Sequence, residues 1–519
     1  MSQFLRPFQN IARNKPGRSV FDLSYSKLLT CNMGELIPVM CDEVVPGDVF
    51  EIGHDMVIRF QPLVAPILHP IKVKVHSWFV PYRLLDEHWE DFITGGIDGT
   101  YEDPIPEWQP TDTTVGSLWD YLGFPTGVDP SGYYPIDYPR RAYNWVWNNC
   151  YKDETHDDDI ALTNESILKC RWDKDYFTSA LPWAQRGIAP ALPVTGSLSA
   201  VFASDIDGLY IHSNNNSDSN TRVRSDGGYS PDPSRAIYNL ETSGLVSLYS
   251  DSLWQTDDIS ATDLSANTVN LAGAQTFDVN DIRLTYQTQR WLELNARGGA
   301  RYTEFLRAHY DVAPRDDRLD RPEYIGGSTT PVIISEVLQT SSTDTTTPQG
   351  NMSGHGISVG RQRLGTYRVK EHGLIITLMS VRPDAAYSQG INRQWLRKTK
   401  FDFYFPEFAH LGEQEIRQAE IYANGVYEDN HAIFGYQGRF DEMRVKPNLI
   451  AGQMRSDLNY WHLGRIFGSA PALNSTFLEM DSTDFSRVFA VTNEDQMIIN
   501  YSNIIRAIRP IPALSQPGW

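Results

Sequence analysis

Four cations at one end of an acidic chain are the first chemistry the sequence offers. Residues 1–20 contain Arg6, Arg13, Lys15 and Arg18 and no carboxylate. Two readings fit them: a solvated terminal tail, or an arm that touches a phosphate backbone. The whole chain carries 65 Asp and Glu against 45 Lys and Arg, a net charge of -20. That balance excludes nucleic-acid binding through the entire surface, so any such contact is local. An acidic knot at Asp153, Glu154, Asp157, Asp158 and Asp159 offers oxygen ligands for Ca²⁺. It lacks the Asp-x-Asp-x-Asp-Gly spacing and reads as a solvated loop. His54, His69, His76 and His88 fall at spacings without ligand logic, so no metal is assigned. Arg283, Arg290, Arg297, Arg301 and Arg307 alternate with Glu293 and Glu304, a pattern of paired surface charge more than of a phosphate site.

Catalytic patterns are missing from the sequence. It contains no phosphate-binding glycine loop, no GxSxG and no HExxH. No catalytic residue and no cofactor are therefore expected. With 12% aromatic residues and many carboxylates, a carbohydrate-active β-sandwich enzyme is an alternative, but spacing alone selects no acid and base pair. Cys31, Cys41, Cys150 and Cys170 are too few to staple 519 residues, and they match neither a zinc ribbon nor a CxxC pair. They read as reduced thiols. The N-terminus has no signal-peptide core and no apolar run is long enough to span a bilayer, so a soluble protein made in the cytoplasm is expected.

The elements that must carry these residues are mainly strands. Met56, Ile58 and Phe60 alternate with polar neighbours, as do Ile71, Val73, Val75 and Phe79, so each segment reads as a strand with one buried face. Three prolines in the linker, Pro62, Pro66 and Pro70, forbid a tight hairpin and place the two strands in different sheets of a sandwich. Further strands are expected at Pro331–Leu338, Tyr367–Val381, Lys400–Phe405, Arg487–Val491 and Gln496–Ile508. Within these, Gly373–Met379 is apolar enough for complete burial.

Between them lies irregular material. From Tyr82 to about Ala200, prolines, glycines and aromatics crowd together, with short helices at Leu84–Phe92 and Arg141–Cys150. Such rings bury against the core or against a partner. Residues 201–280 hold eleven acidic residues against three arginines and no lysine, and read as an outward protrusion. Helical periodicity follows at Leu284–Leu294 and Tyr302–His309, with a break at Arg297–Ala300. The proline-rich tail, Arg509–Trp519, should run extended over a surface. Pairing the early strands with those past residue 367 makes contacts strongly non-local and folding slow.

Several segments, in order along nearly the whole chain, resemble the major capsid protein of the Microviridae, and the gokushovirus branch in particular. They are Phe21-Asp-Leu-Ser24, Cys41-Asp-Glu-Val-Val-Pro-Gly-Asp48, Trp78-Phe-Val-Pro-Tyr-Arg-Leu84, Trp89-Glu-Asp-Phe92 and Leu181-Pro-Trp-Ala-Gln-Arg186. Later come Ala296-Arg-Gly-Gly-Ala-Arg-Tyr302, Arg321-Pro-Glu-Tyr-Ile-Gly-Gly327 and Ala507-Ile-Arg-Pro510. The resemblance implies a single eight-stranded viral jelly roll, mainly β, with large loop insertions at about 83–200 and 201–280 and a few short helices. It implies sixty copies in a T=1 icosahedral shell, a virion assembled in the bacterial host cytoplasm, and a packaged circular single-stranded DNA. Residues 1–20 would form an interior, DNA-facing arm, and 21–519 the capsid domain. The 201–280 insertion would protrude at three-fold axes as a candidate contact for a host surface receptor. Because the chain is acidic, a separate small basic DNA-binding virion protein is expected to neutralise most phosphates. A receptor-binding spike of the same virion is a further alternative.

Overall fold

The computed structural model describes residues 17–94, 101–187, 210–211, 221–222, 279–298, 320–338 and 352–513. The chain divides into two units, Met1–Ile188 with Arg290–Trp519, and Ala189–Gln289.

The first unit is built on two sheets. Their strands are β1 (Ser19–Asp22), β2 (Tyr25–Cys31), β3 (Ile37–Val44), β4 (Val49–Phe60), β5 (Ile71–Pro81), β6 (Glu323–Pro331), β7 (Ile333–Leu338), β8 (Met352–Arg368) and β9 (Gly373–Pro383). A small separate ladder, β10 (Glu413–Arg417) with β11 (Ile433–Gly438), precedes the last strand, β12 (Met497–Arg509). The six-stranded sheet runs β1-β12-β4-β8-β7, with β2 also on β12; the four-stranded sheet runs β3-β9-β5-β6. Without the short rim strands β1 and β7, the layers are β2-β12-β4-β8 and β3-β9-β5-β6. Every connection between successive strands of this set crosses from one layer to the other, except β5 to β6. That is the eight-stranded jelly roll.

The period-two pattern of β4 does what it predicts. Phe50, Ile52, Met56, Ile58 and Phe60 point inward and are buried, each worth about 1.5–3 kcal/mol. Residues Val49–Phe60 pair in register with β12 on one side, and Val49–Arg59 pair with β8 on the other, with one irregularity between Arg363 and Gly365. The first and last strands thus share one layer, and the linker with three prolines crosses to the other, where β5 pairs with β9. Asn503 of β12 donates to the Val39 carbonyl of β3 at 3.1 Å, a polar tie between the layers.

β9 is buried along its whole length. One face meets the other sheet, and the insertion after β5 covers the second. Helix α1 (Trp89–Thr94), α2 (Leu118–Tyr121) and α3 (Tyr138–Cys150) belong to that insertion. Its rings, Trp108, Trp119, Tyr138, Tyr143 and Trp147, join the main core. Of the two expectations for these loops, core burial within the subunit is therefore what the structure has.

A second, smaller core packs Tyr176 and Phe177 of the insertion after β5 against Tyr387, Ile416, Phe434 and Phe477 of the stretch between β9 and β12. Two strand expectations in this stretch are corrected. Lys400–Asp402 and Ser482–Val488 are 3-10 turns. Asp402 accepts the Lys398 and Thr399 amides, and Asp481 accepts the Thr483 amide, so local carboxylates replace ladder partners. Tyr367–Val381 is likewise two strands, the end of β8 and most of β9. The helix expected at Leu284–Leu294 is α4 (Val279–Gly298). The one expected at Tyr302–His309, and residues 514–519 of the tail, lie outside the described residues.

Candidate nucleic-acid and assembly surfaces

Antiparallel register decides which side chains share a face, because directly opposed residues point the same way. On the outer side of the six-stranded sheet, Arg59 sits between Ile357 and Ile498, and Ile357 faces Ile333. The next row is Val359, Val57, Asn500 and Leu28. Below it, Arg361 opposes Asp55 and then Ser502; further rows add Arg363, then Thr366, Glu51, Arg506 and Asp22, and finally Arg368. This face holds five arginines against three carboxylates in a chain of net charge -20. Arg506 pairs with Glu51 at 3.4 Å. Arg59, Arg361, Arg363 and Arg368 are exposed and have no ion-pair partner among the described residues. Val359 and Leu28 stay 62% and 78% exposed among them, so the face is an unsatisfied one: aliphatic and cationic together.

Of the four cations expected to touch DNA, only Arg18 is described. It is exposed immediately before β1, whose first residue pairs with Arg509 at the end of β12. Arg6, Arg13 and Lys15 lie outside the described residues. The arginines of the sheet face went unnoticed in the sequence because they are spread over β4, β8 and β12, and only the register brings them together.

The remaining candidate chemistry has structural partners. His54 is buried and stacked on Tyr501 at 5.4 Å, and burial pushes its imidazole down to about 4. His69 bonds the Asp384 carbonyl, His76 bonds the Tyr151 hydroxyl at 2.9 Å, and His88 lies against Tyr101. Burial, helped by Arg382 and Lys74, also holds His76 near 4. The acidic knot is tied down in part: Asp157 is bound by Arg171 at 2.7 Å and Asp153 by His156 and Lys174, while Asp158 and Asp159 are exposed. Among the described residues no group of His, Cys, Asp and Glu converges to hold a metal ion. None of the four cysteines forms a disulfide. Lys27 has its amine pushed down to about 8 by burial, yet it donates to the Pro38 and Tyr121 carbonyls, a structural role. Arg283 and Arg290 are exposed on α4. The 201–280 segment lies outside the described residues, apart from a two-residue pairing of Tyr210–Ile211 with Thr221–Arg222 and the first residues of α4. No described helix is long and apolar enough to cross a membrane.

The described residues thus form a jelly roll with an exposed cationic sheet face, an architecture that viral shell proteins share. Comparison with known proteins makes this specific: the chain belongs to the capsid protein (F protein) family, which matches residues 9–519, and is a Microviridae capsid protein of the gokushovirus kind. It is 33% identical to the capsid protein VP1 of Chlamydia phage 1, over 96% of this chain and 95% of that one. Capsid protein VP1 of Bdellovibrio phage phiMH2K is 33% identical over 92% and 90%, and that of Spiroplasma virus 4 is 28% identical over 98% and 97%. The protein is a structural capsid component, located in the virion, and not an enzyme. It assembles with its own copies into a shell.

Proposed function

We propose that sixty copies close a T=1 icosahedral shell around a circular single-stranded DNA genome, assembled in the cytoplasm of a bacterial host. The outer face of the six-stranded sheet and the arm 1–20 look inward to the DNA. The observation that carries this is the set of arginines without an ion pair among the described residues, Arg59, Arg361, Arg363 and Arg368, on one face of an acidic chain. They neutralise phosphate only locally. The remainder falls to a small basic virion protein.

The 201–280 segment forms the outward protrusion at the three-fold axes and contacts a host surface receptor; its acidic composition supports this side of the shell. Electron microscopy of the purified protein tests the reading. Closed particles of one small diameter are expected, and a chain that stays single at high concentration rules it out. Trimming residues 2–18 is expected to reduce DNA retention, and genome-filled particles from the trimmed chain exclude the arm. Deleting 201–280 is expected to spare assembly and hamper attachment; loss of soluble protein would show the segment is core.

A further inference from the structure

The stretch between β9 and β12 exposes Trp395, Phe401, Phe403, Tyr404, Phe405 and Leu411 at 74, 55, 51, 48, 44 and 58%. Among the described residues no other short segment exposes as many large apolar side chains. They are held rigidly. Three 3-10 turns, Arg393–Trp395, Lys400–Asp402 and Pro406–Phe408, set the backbone, and Asp402 caps the middle one. Phe401 and Phe405 each meet Phe408 edge-on, at 5.8 and 6.0 Å, and Tyr404 meets Phe440 at 5.1 Å. A rigid strip loses little entropy when it docks.

Cations decorate the rings. Lys400 lies over Phe401 at 5.0 Å, Arg397 over Phe403 at 5.7 Å, and Arg439 over Phe440 at 4.9 Å. Arg397 is paired with Glu442 at 2.7 Å. The Arg439 guanidinium donates to the Phe401 carbonyl, and among the described residues its Nε has no partner and no carboxylate pairs with it. Lys398 and Lys400 are exposed and also unpaired among the described residues.

We propose that this strip is a contact between copies of the chain: its rings pack against a neighbouring subunit, and a carboxylate of that neighbour bonds Arg439. The proposal rests on the reading that the chain forms a shell. Two features choose a second copy over nucleic acid. Bases stack on open ring faces, whereas here several rings already carry a cation on one face and edge-on neighbours beside it. Aromatic residues with arginine are the composition of a protein interface core, and each copy, at a net charge of -20, brings carboxylates to match the unpaired cations.

The test uses particles assembled from equal parts of isotopically light and heavy chains, treated with a zero-length carbodiimide and digested for mass spectrometry. Lys398 and Lys400 are expected in mixed-isotope pairs with Asp or Glu peptides. Particles in which these lysines give only same-isotope pairs overturn the contact and leave the shell intact; a chain that forms no particle overturns the reading beneath it. Ultraviolet irradiation of filled particles is the second arm. Peptides containing Trp395, Phe403 or Tyr404 that attach to DNA assign the strip to nucleic acid and overturn the proposal. A Lys400→Glu, Phe403→Ser double variant supplies the third. It is expected to keep its circular dichroism and melting temperature and to fail to close shells; wild-type particles, filled or empty, refute the contact.

Discussion

Replacing Arg59, Arg361 and Arg363 together with glutamine measures what the sheet face contributes to DNA binding. All three are exposed and have no ion pair among the described residues, so the fold should stay within about 0.5 kcal/mol of wild type. Each phosphate contact on a single strand adds about 0.7 to the slope of log K against log salt. Losing three contacts lowers the slope by about 2, and at roughly 0.1 M salt the same term amounts to a loss of about 100-fold in affinity. Fluorescence anisotropy of a labelled single-stranded oligonucleotide, titrated with subunits across a series of salt concentrations, reads both quantities. Arg444→Gln is the control, since Arg444 pairs with Asp441 in the stretch between β9 and β12, off this face, and should leave the slope alone. An unchanged slope in the triple variant, with the fold intact, would refute an inward, phosphate-facing role for this sheet.

Three further outcomes are expected. Gly326→Val should destabilise by about 3 kcal/mol in urea unfolding, because a Cβ there would lie 1.9 Å from the Leu364 carbonyl oxygen where β6 meets β8; a loss under 1 kcal/mol would mean the edges are not that close. Glu165→Ala should cost about 3 kcal/mol at pH 7, since this one carboxylate accepts from Trp108, Thr111, Asp112 and Arg140. Burial raises the Glu165 carboxyl, but those bonds hold it below its ordinary 4.5, so its stabilisation is complete above that pH and lost as acid titrates it in the fold, a dependence the variant should lack. His54 is neutral in the fold, with its pKa near 4 against 6.5 when unfolded, so stability should hold above about pH 6.5 and fall below it by up to about 1.4 kcal/mol per pH unit. His54→Phe should flatten that decline, and an identical acid profile would place the sensitivity elsewhere.

What could be read directly from the chain was whatever alternates. β4, β5, β9 and β12 bury one face or both with large aliphatic side chains, and their places follow from the residues alone. β8 hid because one of its six buried positions is Ser358 and three, Gly354, Gly356 and Gly360, are glycines. A Cβ at these would meet the Ala65 oxygen at 2.6 Å, the Phe60 ring at 2.8 Å and the Thr330 hydroxyl at 2.9 Å. Close approach of backbone replaced hydrophobic side chains there, so the longest strand carried no hydrophobic period. β2 hid for a different reason: it lies along a sheet edge, with Leu28 outward, and only Cys31 at its end is buried. The cationic face was illegible because its members are far apart in sequence, whereas the arm at Arg6, Arg13, Lys15 and Arg18 was visible as a local run.

The position of the long insertions follows from the pairing. Residues 82–322 separate β5 from β6, which are neighbours in the same sheet. Such a gap is tolerable because β5 is also held by β9, through eleven opposed pairs from Gly373 to Pro383, besides its eight pairs with the strand the insertion leads to. Closing a loop costs only about 0.6 kcal/mol more for each doubling of its length, so the insertion can grow without loosening the tile, provided its own base is fixed. That base is fixed by α3, whose Tyr143 hydroxyl donates to the Leu36 carbonyl before β3 and accepts from the Leu168 amide. The first part of the insertion thus belongs to the rigid layer over β9, and length beyond it can vary with little thermodynamic effect on the jelly roll. A shell subunit needs that division, since the faces that must match sibling copies stay constant while the residues beyond them are free to meet different surroundings.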